Sequence, residues 1–541
     1  TNTGIISGYG TGTNSGTGYG IYNDLGAEIK NITNTGVVYG KTNAIKNDKD
    51  IQNNIGTITA TNNYGILVNG DDGKKVVDGL TVIDETPTDN QILNKGLIFT
   101  ALDTGKYKAD EDEYKKFGQT YVDENAIIDY QKDDTGKPDL NNPITKEYTI
   151  INAKAEGTAD NITGTESLKL ENGILTYGDS QKEKISSGKG YILNGITNTL
   201  EVSGKNNELD VSVINAYKTA VVMNGKESML TLNNTVVNGG ISGENTVKIE
   251  GDGNTLNVQG NSVINGGDIA ITVTGDNNAL VLEGNAKVNG KMESTGTNNL
   301  ISLNGNAGNG MNILHNISGF TNMNIDNNVT FFENVEVTGT ETVTVGGTLN
   351  LRLKKDTTTY STIPTAVHAF SGTDSTTIKG ASEEEAGTLN FITNGIGREI
   401  KVDMENIELE NMKVRANSII DKAEIDGDYI HLGAGSDLSG IVNPKVSKYD
   451  SLDNIYKSLY SSTEENLDAL RDILSMTYLG THYGYNTSNE EQLKNLMSYL
   501  DSIYTGTPYS VSSELSRKSM GMFRDIITEN QFKPNLNQWL I

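Results

Sequence analysis

Asn207-Glu-Leu-Asp-Val, Ser228-Met-Leu-Thr-Leu, Asn254-Thr-Leu-Asn-Val, Asn278-Ala-Leu-Val-Leu and Asn299-Leu-Ile-Ser-Leu are five versions of one phrase. Each opens on a small polar residue, alternates apolar and polar positions, and ends in Asn/Gly punctuation. Their third residues are Leu209, Leu230, Leu256, Leu280 and Ile301, so the phrase recurs at steps of 21, 26, 24 and 21 residues. Period-two alternation marks strands, and a repeat in the twenties is how a solenoid of stacked strands reads in sequence. Unequal steps are compatible with stacking, because extra residues bulge from turns while the inward apolar pair keeps register.

Composition agrees with stacked strands. Only 35% of the 541 residues are hydrophobic, and 60 are Gly. A thin inward stripe with many corners needs no more apolar residues than this. Of the seven prolines, none lies between Pro143 and Pro364, as a continuous hydrogen-bonded ladder requires. The formal net charge of −27 argues against nucleic acid as a partner, since phosphate binding needs clustered Lys and Arg. Cysteine is absent, which fits export of an unfolded chain through a narrow pore. No apolar run approaches the ~18 residues of a membrane helix. The first residues, Thr1-Asn-Thr-Gly-Ile-Ile-Ser-Gly, already read as repeat and carry no signal-peptide pattern. The expectation is a piece of a longer protein.

Residues 1–70 hold an earlier form of the repeat, with Tyr19-Gly, Tyr39-Gly and Tyr64-Gly beside short apolar runs. At 71–150 charge rises, Pro138 and Pro143 appear and aromatics gather, which reads as an excursion from the rod. Its removal is expected to leave the rest folded. Coils resume near 148–200 and run to about 353. Residues 354–443 keep a β-rich pattern with longer strands, such as one from Lys401 to Leu409, and read as a cap over the last edge. From Pro444 the spacing turns helical: Leu452, Ile455, Tyr456 and Leu459, then Leu493, Leu496, Met497, Leu500 and Ile503. The boxes Ser462-Thr-Glu-Glu and Ser488-Asn-Glu-Glu are helix starts, and a last helix is expected from about Ser513 to Glu529.

The tail Pro508-Tyr-Ser-Val-Ser-Ser-Glu-Leu-Ser-Arg-Lys-Ser-Met-Gly-Met-Phe-Arg-Asp, with Lys533-Pro-Asn-Leu-Asn-Gln-Trp-Leu-Ile, resembles a known junction. It is similar to the segment leading into the C-terminal β-barrel of type V autotransporters, in particular the large fusobacterial-type outer-membrane adhesins. Ser451-Leu-Asp-Asn-Ile-Tyr-Lys-Ser-Leu-Tyr resembles their pre-barrel helical region, and 354–443 stands where that family has its autochaperone. The resemblance implies a passenger carried to the cell surface, secreted or anchored in the outer membrane through its own C-terminal β-barrel. That barrel would be one partner. The others would be a host cell-surface protein or glycan receptor, or the surface of partner bacteria.

No catalytic constellation stands out. His315, His368, His431 and His482 are far apart in sequence and read as surface or turn residues. Tyr177-Gly-Asp-Ser-Gln resembles the nucleophile block of GDSL-type esterases but lacks their downstream Asp-x-x-His, so it reads as a strand corner. The Gly-rich stretches 8–12 and 16–20 lack the strand-to-helix context of a dinucleotide fold. No metal ligands, cofactor or catalytic residues are expected. The candidates for partner contact are Tyr107, Tyr114, Phe117, Tyr121 and Tyr130, within the excursion. Tyrosine offers contact area and a hydrogen bond at low entropy cost. The same five could equally form the excursion's own small core.

The expected fold is mainly β: a right-handed parallel β-helix of roughly 15–20 coils over residues 1–440, about 70–100 Å long at ~4.8 Å per coil. A β-rich cap (354–443) and a small α-helical region (444–541) follow. Three functions are open: an adhesin passenger, a rigid stalk for an upstream binding tip, and a carbohydrate-active β-helix enzyme.

Overall fold

The computed structural model describes residues 1–9, 18–23, 31–41, 43–47 and short strands between 59 and 107. It continues through 119–355 apart from 133–134, 159–160, 179 and 187, then most of 363–461, a few positions up to 474, and 489–504. The chain is mainly β, with two α-helices among the described residues. It divides into two compact units, Thr1–Met311 with His315–Asn324, and Asn312–Leu314 with Ile325–Ile541.

In the first unit the repeat becomes three columns of parallel strands visited in turn. One contains Gly190–Asn194, Val213–Asn215 and Val236–Asn238 and continues into Val263–Val273 and Lys287–Ser294. The second runs from Leu168–Glu171 through Asn198–Ser203, Thr219–Met223 and Val247–Ile249 into the second halves of the same two long strands. The third stacks Asn207–Asp210, Met229–Asn233, Thr255–Gln259, Ala279–Gly284 and Leu300–Gly305.

The third column holds the five quoted phrases. Leu230, Leu256, Leu280 and Ile301 pair in sequence, as the spacing predicts. The first copy does not: Leu209 pairs with Leu232, and Asn207 with Leu230. A slip of two residues keeps every side chain on its own face, so alternation alone cannot detect it. Leu209 and the inward pairs from Leu230 to Leu303 are buried, each Leu contributing about 2 kcal/mol of apolar burial; Val211, at φ 51°, is only half-buried.

Polar residues hold the corners. Asn194, Asn215, Asn238, Asn265 and Asn289 form a ladder in which each Nδ2 donates to the preceding Oδ1 at 2.7–2.9 Å, and Asn152 starts it. Beside the third column the backbone N–H groups of Ser228, Asn254 and Asn278 donate to the side-chain oxygens of Asn254, Asn278 and Asn299 at 2.7–2.9 Å. A buried amide with a partner costs little, and one without costs about 1–3 kcal/mol. Next to this ladder the glycines stack. A Cβ on Gly275 would sit 1.8 Å from the Gly251 carbonyl oxygen, and one on Gly296 1.9 Å from that of Gly275.

The described strands between residues 1 and 100 do not simply extend this stack from its end. Ile5–Gly8, Val37–Gly40 and Leu97–Thr100 pair in parallel among themselves. They then lie along the flank of the 190–240 coils. Val37, Tyr39, Leu97 and Phe99 share a core with Ile196 and Ile241, and the Phe99 and Tyr217 rings stack 4.2 Å apart. This corrects the expectation of one continuous rod from residue 1. Leu97–Thr100, inside the stretch set apart at 71–150, belongs to this buried packing, as does Tyr148–Asn152, which pairs with Gly190–Asn194.

In the second unit parallel pairing continues through Asn328–Phe331, Thr348–Arg352, Gly387–Ile392 and Met412–Ala416, with its own ladder of Asn328, Asn350 and Asn390. The strand expected from Lys401 to Leu409 is two strands, Ile400–Asp403 and Ile407–Glu410, broken at Asn406 with φ 64°. Ile400–Asp403 then pairs antiparallel with Tyr429–Ala434, which pairs antiparallel with Asp421–Asp426. Helices α1 (Tyr449–Ser461) and α2 (Asn489–Tyr504) pack Leu452, Tyr456, Leu459, Leu496 and Leu500 against Ile420, Leu438 and Val442. Gln492 of α2 accepts from Ile419 N at 2.9 Å and donates to the Asn417 carbonyl at 3.1 Å. It thereby supplies both halves of a missing strand partner. Asn489, Glu490 and Glu491 of the second capping box form the first turn of α2, as expected; Ser488, the first box and the helix expected from Ser513 lie outside the described residues.

Candidate functional site

The departure from parallel pairing in the first unit is a long β-hairpin. Gln119–Lys132 and Pro138–Asn152 pair antiparallel from Gln119↔Ile150 to Lys132↔Pro138, with register shifts after Asp123, Ile127 and Tyr130. Only the base of the second strand, Tyr148–Asn152, also joins the parallel column. From Val122 to Glu147 the arm pairs with itself alone among the described residues. Repeated bulges bend and twist such a ribbon, and Pro143 sits opposite Tyr130 beside one of them.

The far end of the arm is exposed and polar, with one exception. Leu140 is 73% exposed, the most exposed large hydrophobic side chain described. Beside it the Asp139 carboxylate accepts from Asn141 N at 3.0 Å and Asn142 Nδ2 at 2.7 Å, and these bonds hold its pKa below the usual carboxylate value. Nearer the base, the Lys146 ammonium lies 4.9 Å from the centre of the Tyr148 ring. A single exposed apolar residue is ordinary in itself; Leu140 is set apart by its place near the tip of an arm that leaves the parallel column. Leu140 was not singled out from sequence; its only signal there is an isolated Leu between Pro138 and Pro143.

The sequence candidates divide between two sheets. Tyr121 and Tyr130 lie on the arm, Tyr121 opposite Tyr148 and Tyr130 opposite Pro143. Tyr130 is half-buried. Tyr107 belongs to a separate antiparallel sheet, with Lys106–Tyr107 paired to Lys154–Thr158 and that strand to Asn161–Glu166. Tyr114 and Phe117 lie outside the described residues.

The other sequence motifs have structural places. Tyr177 and Ser180 flank the turn of the tight hairpin between Ile174–Tyr177 and Gln181–Lys184, with Ser180 at φ 72°. His368, expected at a surface or turn, is in a turn but 5% exposed. Its Nε2 lies 2.9 Å from the Asp403 carbonyl oxygen, and its Nδ1 accepts from Phe370 N at 3.2 Å. Burial lowers its pKa to about 4, against the opposing pull of Asp403. His431 lies 3.2 Å from the Asp426 carboxylate. Glu208 and Asp210 share a shallow cleft with Gly173, Ile185 and Asn206, and Asp210 accepts from Asn233 Nδ2 at 3.1 Å. Among the described residues no group of three His, Asp or Glu is placed to hold a metal ion, and no described helix is long and apolar enough to cross a membrane.

No protein-family model, curated protein or solved structure matches this chain.

Proposed function

We propose that this chain is the surface-exposed passenger of an autotransporter adhesin, built as a right-handed parallel β-solenoid and attaching to host cells or to other bacteria. The hairpin arm at 122–147 carries this reading. A stack of parallel strands buries its apolar stripe and offers flat polar sides. An arm that leaves the stack, pairs with itself and carries an exposed Leu140 offers a surface apart from the parallel columns. Contact surfaces on repeat scaffolds commonly fall on such insertions. The three strand columns visited in turn, at offsets of 21–27 residues in the coils from Ile192 to Lys287, support the solenoid. The resemblance of the tail supports the autotransporter, with the outer membrane and its barrel as the site of anchorage.

The side-chain ladders favour a second reading as a stalk. Asn194 to Asn289 and the stacked glycines at 251, 275 and 296 cross-tie successive coils, as a spacer under load requires. Binding of fluorescently labelled chain 1–541 to host cells and to partner bacteria separates the two. The adhesin reading expects saturable binding that protease or periodate treatment of the target cells abolishes. A folded chain that binds neither is a stalk.

A further inference from the structure

Asn followed by Gly recurs at the corners of the coils. It is a chemically labile step, because a glycine without a side chain lets its backbone nitrogen reach the preceding amide. All but one of the described Asn-Gly steps are held. Asn172 Oδ1 accepts from Lys205 N, and Gly173 N donates to Asn207 Oδ1, both at 2.9 Å. Asn194 and Asn238 are buried rungs of the long ladder, and Gly195 N and Gly239 N donate to the Asn215 and Asn265 carbonyls at 2.9 and 3.2 Å. Asn265 and Asn289 donate from Nδ2 to the preceding rung. Their glycines, like Gly305 after Asn304, lie inside strands. Gly310, after Asn309, donates its N–H to the Asn306 carbonyl at 2.8 Å.

Asn224-Gly225 is the exception. Asn224 follows the strand Thr219–Met223 and is exposed. Neither its side-chain amide nor the Gly225 N–H makes a hydrogen bond among the described residues. The stacking explains why. Met223, Ile249, Val273 and Ser294 pair in register, so the corner held by Asn224 is taken by Glu250, Thr274 and Thr295 in the following coils. No amide ladder runs through it. Each of these residues precedes a glycine, and a Cβ on Gly251 would lie 2.6 Å from the Gly225 carbonyl oxygen. The stack thus demands glycine at 225 and leaves the residue before it unrestrained.

We propose that Asn224-Gly225 is a site of spontaneous modification, where the folded chain deamidates in preference to its other described Asn-Gly steps. The Gly225 nitrogen loses its proton to hydroxide and attacks Asn224 Cγ. The Cγ–Nδ2 bond breaks, and the amide nitrogen leaves as ammonia with a proton from water. Water then opens the succinimide at one of its two carbonyls, giving aspartate or isoaspartate. Either product adds a negative charge to a chain of net charge −27. Isoaspartate also lengthens the main chain by one carbon at a corner packed against Gly251.

The test incubates folded chain 1–541 at mildly alkaline pH and follows each Asn-Gly peptide by mass spectrometry, with isoaspartate scored by enzymatic methylation. Each rate is divided by that of the same site in the chain unfolded in denaturant, which removes the effect of local sequence. The proposal predicts a relative rate for Asn224 at least tenfold above those of Asn194, Asn238 and Asn309. Asn224→Thr, which places there the residue found at 274 and 295, should abolish the product assigned to this site. A relative rate for Asn224 no higher than that for Asn309 overturns the proposal. So does an unmodified Asn224 in the folded chain after the unfolded chain has fully reacted.

Discussion

At the scale of single residues, the stack is held by positions that tolerate no extra atom and by amides that each serve two neighbours. Gly275→Ala would drive a methyl group to 1.8 Å from a backbone oxygen that cannot move without displacing a whole coil. A cost of about 3 kcal/mol is expected from such overpacking. Gly372→Ala, with nothing within 4 Å, should fall within about 0.5 kcal/mol of the parent. Comparison of the two melting curves checks this. The need for Asn and Gly at corners is legible in sequence, because only these residues adopt positive φ at little cost. Which Asn meets which is not legible. Asn207 opens the first phrase just as Asn254 opens the third, yet it sits two residues out of step, and a slip of two leaves the hydrophobic pattern unchanged.

His368 contributes a pH dependence of definite sign to the second unit. Its folded pKa, about 4, lies below the ordinary histidine value of 6.5. Above pH 6.5 both folded and unfolded forms are neutral there, and the full stability is present. As pH falls from 6.5 through 4, the unfolded chain takes up a proton that the buried ring refuses. The contribution of His368 then declines by about 3 kcal/mol, while Asp421, whose pKa burial raises to about 7, contributes with the opposite sign over the same range. A His368→Gln variant should flatten this part of the profile, measured by denaturant unfolding between pH 4 and 7. An unchanged slope would mean that other groups govern it. The apolar run Ala366-Val-His-Ala-Phe hints at burial in sequence, but the contact of the ring with the Asp403 carbonyl, 35 residues away, is set by folding.

At the scale of elements, the stretch 71–150 is not one excursion. Leu97 and Phe99 are buried against the coils, and Ile150 and Ile151 stand in the parallel column. Removing all of 71–150 should therefore lower cooperativity and abolish the packing of Val37 and Tyr39 on Ile196. Replacing only 123–146 with Asn-Gly, a sequence suited to a two-residue hairpin turn, should leave the melting midpoint within a few degrees. Circular dichroism melts of the two deletions test the distinction. The arm escaped the sequence reading for a physical reason. Its bulges break alternation at Asp123–Asp129, and two prolines sit in its second strand. The helices were legible because Leu452, Tyr456, Leu459, Leu496 and Leu500 keep helical spacing on buried faces. The strand expected from Lys401 to Leu409 misled because its alternation runs through the turn at Asn406.

At the scale of the whole molecule, the chain joins a periodic part that supplies stability to a few aperiodic parts that are free to vary. On the solenoid reading proposed above, each coil supports the next, so an arm can be added where one strand leaves the column. A β-rich class with parallel columns was within reach of sequence reasoning, because the repeat period and strand alternation are local properties. The folding of residues 1–100 onto the flank was not. It depends on contacts such as Asn238 to Thr3, which are 235 residues apart. The account's central claim is that attachment resides in the arm at 122–147. The most direct test compares binding of labelled chain 1–541 to host cells and partner bacteria with that of the 123–146 replacement and of Leu140→Ser. The account predicts loss of binding by the replacement, and at least a tenfold loss by Leu140→Ser, with unchanged melting. Undiminished binding by the folded replacement would contradict it and place the adhesive surface elsewhere on the chain.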